Sequence, residues 1–146
     1  MARFDYTGYN QRVRAAGDTY GAKAERNAYA QFLSKQRGSR KKFDLQQGYE
    51  KQTPGVIGSF TKRGLAGPGV KSGIFQRGMT DFATRQFQDM ADLNRAQDEE
   101  MQQLQLEDKQ TRAEYDQQIA DLEAEKQAAI AQAAATLAAF RPFLGG

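Results

Sequence analysis

The stretch Gly64-Leu65-Ala66-Gly67-Pro68-Gly69-Val70-Lys71-Ser72 stands one residue away from a phosphate-binding loop. Such a loop needs Gly-Lys-Ser in succession, so that backbone N–H groups and the lysine converge on one phosphate. Here Val70 moves the ammonium away, and Pro68 removes a backbone donor. Carboxylates are more numerous: Asp98-Glu99-Glu100, Glu107-Asp108, Glu114 and Asp116. Two carboxylates run glycoside hydrolysis only in a rigid cleft that buries one acid, and on an amphipathic segment they read as its solvated face. Arg37-Gly38-Ser39-Arg40-Lys41-Lys42-Phe43 offers a third chemistry, neutralising phosphates or an acidic protein surface with aromatics interleaved. The chain has no histidine and no cysteine. Imidazole bases, thiolate nucleophiles, disulfides and nearly every zinc or haem site are therefore excluded. We assign no catalytic, cofactor-binding or metal residue and expect a non-enzymatic, cofactor-free protein.

The element that has to position these groups is legible from an eleven-residue repeat. Met79, Met90 and Met101 are one repeat apart, and Phe82, Leu93, Leu104 and Tyr115 follow the same step three residues later. Eleven residues over three turns matches an almost straight α-helix, so the apolar residues form a seam along one face. Past Tyr115 the spacing turns heptad-like through Ile119, Leu122, Lys126, Ala129 and Ala133 to Leu137 and Phe140. Met79, Phe82, Met90, Leu93, Met101, Leu104, Tyr115, Ile119 and Leu122 are the expected oligomer seam. A seam of methionine with Phe and Leu reads as core. The amino-terminal half shows too little apolar periodicity to cover it, so the expected cover is another copy or a partner.

Glycine and charge divide the 146-residue chain unevenly. Twelve of its 14 glycines lie at or before Gly78. Residues 1–77 carry 15 Lys and Arg against five Asp and Glu, and residues 78–146 carry six against 13, giving the overall +3. Opposite halves suit assembly, a basic arm lying on an acidic partner. The expected fold is mainly α. Residues 1–38 form a basic segment with one helix, capped by Asp18 and stopped by Gly38. Residues 39–73 form an extended Gly/Pro-rich arm, residues 74–141 a long bundle-forming helix with Ser72 or Thr80 as cap, and residues 142–146 a tail after Pro142. Within the arm, Val56, Ile57, Phe60, Leu65, Ile74 and Phe75 are expected to dock on a neighbouring subunit, since a solvated spacer has no use for them. Arg37, Arg40, Lys41 and Lys42 are the expected contacts to a partner or to DNA. The start of the chain lacks a signal-peptide core and no run reaches a membrane span, so membrane contact is not expected.

The run Arg63-Gly-Leu-Ala-Gly-Pro-Gly-Val-Lys-Ser-Gly-Ile-Phe-Gln-Arg-Gly-Met-Thr-Asp-Phe-Ala83, followed by a glutamine- and alanine-rich helix, resembles small virion proteins of tailed bacteriophages. In those chains Arg-Gly-Leu, then Ser-Gly-Ile/Val-Phe/Tyr, then Asp-Phe/Tyr-Ala lead into a coiled-coil-like tail. The likeness covers about residues 54–140. It implies a minor structural protein of the portal, connector, tail or capsid interior, in one version ejected with the DNA. It also implies a virion location, assembly in the host bacterial cytoplasm, and portal, connector, tail or capsid proteins as partners. Self-assembly into a homo-oligomer and non-specific contact with packaged DNA complete the expectation. A scaffolding or assembly chaperone and a basic nucleic-acid-binding protein are the alternatives, with a membrane-active ejection protein behind them.

Overall fold

The computed structural model describes residues 3–67, 69 and 72–144. It is almost entirely helical, with α1 over Tyr6–Lys62 and α2 over Gly73–Leu144. A mainly α class is therefore correct, but both helices are longer than the sequence suggested. The start of α1 lies at Asp5, whose carboxylate accepts from the Gly8 N–H at 3.0 Å while its carbonyl accepts from Tyr9 N–H. The first bond satisfies an orphan donor of the first turn, and the second is the first bond of the helical ladder. Asp18, expected to be the cap, is an exposed residue inside the helix.

The extended arm over 39–73 is overturned across most of its length, because α1 continues to Lys62. Gly38 does not stop the helix and Pro54 sits inside it. A proline withholds the donor for the carbonyl four residues earlier. At that turn the Thr53 hydroxyl donates to the Tyr49 carbonyl at 2.8 Å. Termination comes at Gly64, with φ of 72°. Leu65 N–H returns to the Phe60 carbonyl and Gly64 N–H to the Thr61 carbonyl, each at 3.0 Å, which is the Schellman arrangement.

Ser72 is the cap of α2, its Oγ accepting from Phe75 N–H at 3.2 Å. Thr80 lies inside the helix, and so does Gly78. At the other end α2 passes Pro142 and reaches Leu144, so the tail expected over 142–146 is helical as far as that residue. Gly145 and Gly146 lie outside the described residues.

The chain divides into two compact units, one formed by Met1–Tyr29 with Leu104–Gly146, the other by Ala30–Gln103. In the first, α1 and α2 pair antiparallel: Tyr9 meets Glu123, Tyr20 meets Tyr115 and Asn27 meets Leu104. The second is a helical hairpin that contains the interhelix turn, pairing Arg37 with Glu100, Tyr49 with Phe82 and Phe60 with Phe75. Among the described residues its buried ones are Phe82, Ala66 in the turn, and Ser34. In both units the packing is a single layer of side chains between two helices.

Candidate interaction surfaces

The predicted seam is the face of α2 that meets α1 of the same chain. Met79, Met90, Leu93, Met101, Leu104, Tyr115, Ile119 and Leu122 are half-buried, and Phe82 is buried. The intervening Gln86, Gln97, Asp108, Thr111, Lys126, Ala129 and Ala133 are half-buried too, so the polar members do not interrupt the row. Only its last members, Leu137 and Phe140, are exposed. An intermolecular cover is thus not required by the seam. The reason is the opposing row on α1, whose half-buried residues include Tyr9, Tyr20, Gln31, Lys42 and Thr53 in one eleven-residue series. Ala16, Asn27, Gly38, Tyr49 and Phe60 form another. The period matches that of α2, but small and polar residues conceal it from any count of apolar positions.

Small residues on both helices let them approach. A Cβ on Gly38 would lie 2.5 Å from the Gln97 carboxamide, and one on Gly78 would collide with the Phe60 ring. Phe60 in turn packs edge-on against Phe75 at 5.5 Å between ring centres. Val56 and Leu65 are half-buried as well. Four of the six expected docking residues, Val56, Phe60, Leu65 and Phe75, are therefore partly covered within their own hairpin. Ile57 and Ile74 are exposed and remain open to a partner.

Polar fastening differs from place to place along the helices. In the first unit the Tyr9 hydroxyl donates to Glu123 at 2.8 Å, Lys126 Nζ stands 5.1 Å from the centre of the Tyr9 ring, Arg12 bonds Glu125 at 2.9 Å and Lys23 approaches Glu114 at 3.7 Å. Tyr20 stacks on Tyr115 with ring centres 4.8 Å apart. The carboxyl of Glu123 is held below its ordinary value, chiefly by the Gln127 amide and then by the Tyr9 hydroxyl and Lys126, against a smaller desolvation effect. Tyr9 is correspondingly pushed up, first by that hydrogen bond. In the second unit Tyr49 donates to Asp89, which raises the tyrosine in the same way.

The helix splits the basic cluster between two faces. Arg37 pairs with Glu100 at 3.5 Å and also donates to the Leu33 carbonyl. Lys42 sits half-buried in the row facing α2, while Arg40 and Lys41 are exposed. Arg37, Arg40 and Lys41, at i, i+3 and i+4, therefore share one exposed face, and only Lys42 turns away from them toward α2. What the sequence reading missed is the exposed series Arg40, Lys51 and Lys62, each eleven residues after the last and so aligned along the outer side of α1.

The carboxylates of Asp98, Glu99, Glu107, Glu114 and Asp116 are exposed on α2. Among the described residues no group of three or more acidic side chains is arranged to hold a metal ion. Likewise no described helix is long and apolar enough to cross a membrane. No protein family, no curated protein and no solved structure matches the chain.

Proposed function

We propose that this chain is a non-enzymatic assembly protein, a minor structural component of a tailed-bacteriophage virion in the portal, connector, tail or capsid interior. One observation carries the assembly reading. α1 bears 11 Lys and Arg against four Asp and Glu, α2 bears seven against 13, and in each unit the basic helix lies against the acidic one in a single layer. Each unit consequently presents a basic edge, an acidic edge and broad sides that still display aromatic residues. That suits lateral contact with other subunits, whose charges set orientation while apolar burial supplies affinity. The virion placement rests on the resemblance of residues 63–83 and the helix after them.

Mass spectrometry of virus particles from the producing culture tests the placement. Presence in mature particles supports a structural component. Presence confined to precursor particles supports the scaffolding alternative, and absence from both overturns the reading.

The Arg40, Lys51 and Lys62 series favours a second reading, non-specific contact with packaged DNA. Affinity for duplex DNA should then fall steeply as salt rises. Changing all three residues to glutamine should weaken binding on every sequence alike and flatten that salt dependence. Equal retention of DNA by the triple variant would remove the second reading and leave the first.

A further inference from the structure

One side of α1 within the hairpin unit carries a second eleven-residue row, distinct from the row that faces α2. Phe32, Phe43 and Pro54 occupy one series of it and Lys35, Gln46 and Ile57 another, and all six are exposed. Phe32 is 55% and Phe43 59% accessible, large values for phenylalanine. With the exposed Ser39 and Glu50 between them, a residue every three or four positions forms a continuous strip, roughly 37 Å long over residues 32–57 at about 1.5 Å per residue. The other flank of α1 is unlike it, because Arg37 is there engaged with Glu100. The strip holds one cation, Lys35, and one anion, Glu50, at nearly equal distances in sequence on either side of Phe43.

That placement makes the strip complementary to itself. When two copies lie antiparallel about a two-fold axis at Phe43, Phe43 meets its own equivalent and Lys35 of each copy comes within one residue of the level of Glu50 of the other, while Lys51 lies off the strip in the series with Arg40 and Lys62. Phe32 then comes level with Pro54 of the second copy. A two-fold interface requires this reciprocity, residue i on j and j on i. Like charges would meet if the two charged residues had the same sign, and they do not. We propose that the Phe32–Ile57 strip of α1 is the self-association surface, and that its occupant is a second copy of this chain in antiparallel orientation. The two hairpin units then form a four-helix arrangement that covers the exposed aromatics.

This inference rests on the assembly reading only in needing a second copy, and it requires no virion. The test is the mass of the purified full-length chain by light scattering at low salt, with helicity checked by circular dichroism. Lys35→Glu and Glu50→Lys should each weaken dimerisation by roughly tenfold, since each turns two attractive pairs into two repulsive ones. Mixing the two variants, or combining both changes in one chain, should restore it, because opposite charges then meet again. Phe43→Asp should leave a folded monomer that mixing does not rescue. A dimer indifferent to all these changes overturns the strip and leaves self-association on another face. A wild-type chain that stays monomeric overturns the strip and self-association together, leaving the virion test above to decide the rest.

Discussion

The two units use the same pair of helices and are held together by different forces. In the hairpin unit, Phe82 packs edge-on against Tyr49, Phe60 closes on Phe75 and Gly78, and the residues buried among those described all lie there. In the other unit the contacts between helices include exposed pairs, Arg12 with Glu125, Lys23 with Glu114 and Tyr9 with Glu123, together with the Asn27 amide on the Leu104 carbonyl, Lys126 over the Tyr9 ring and one aromatic stack. Exposed pairs contribute about 0–1 kcal/mol each, whereas burying a Phe-sized side chain contributes about 1.5–3. The hairpin unit also gains from its short connection, which keeps the entropy of bringing its helices together low. It should therefore be the stable nucleus, and the open-ended unit the part that loosens. Hydrogen exchange checks this directly: amides of α1 residues 34–60 should outlast those of residues 9–27.

The sharpest way to break the contrast is Phe82→Ala. Removing the buried ring at the centre of the hairpin should cost about 3–5 kcal/mol in urea unfolding. Protection in both units should collapse, since the open-ended unit has no comparable anchor. If only residues 30–103 lose protection, the units are energetically independent and the nucleus idea fails.

Two glycines refine it, with opposite signs. Gly78→Ala places a methyl group where the Phe60 ring stands, in a cluster that Phe75 closes from the other side. Overpacking of that kind costs about 1–3 kcal/mol, against a gain of about 1 kcal/mol for alanine over glycine in a helix. A net loss is expected. Gly38→Ala meets only the end of the Gln97 side chain, which can rotate aside. There the helix gain should win, raising the urea midpoint. Ser34→Ala should also stabilise, by about 1 kcal/mol, because the Ser34 hydroxyl is 1% exposed and has no hydrogen-bond partner.

The same contrast explains what could be read from the sequence. The α2 row from Met79 to Leu122 was visible because Met, Phe, Leu and Ile mark it, and the face it defines is the one that packs. Its partner was hidden because much of the α1 row is written in Ala16, Asn27 and Gly38 and in Gln31, Lys42 and Thr53, which carry little apolar signal yet recur at the same interval. Close packing against a bulky face selects small residues, and small residues look like loop. Gly38, Pro54 and Gly55 were read as breakers on local grounds, whereas tertiary packing along the α1 row keeps the helix intact. Of the basic cluster, Arg37, Arg40 and Lys41 keep one face and Lys42 joins the row facing α2. Helical geometry also aligns Arg40 with Lys51 and Lys62, and the interval that reveals them is again eleven.

The smallest expected effect separates the units by pH. Glu123 has a depressed value in the folded chain, so the stability it lends is present above the ordinary carboxylate value and is lost as pH falls through the lowered one. Tyr9 and Tyr49 are raised, so what they lend is present below the ordinary tyrosine value and is lost as pH climbs through the raised ones. The open-ended unit is thereby sensitive at both ends of the scale through Tyr9 and Glu123, and the hairpin unit at the alkaline end through Tyr49. Acidification into the carboxylate range should reduce amide protection around residues 9–27 and 115–126 before it touches residues 34–60. Glu123→Gln should remove most of that selective acid response, because the glutamine still reaches Tyr9 but no longer titrates. A uniform loss of protection across α1 on acidification would mean that the difference lies in charge repulsion over the whole chain and not in these contacts.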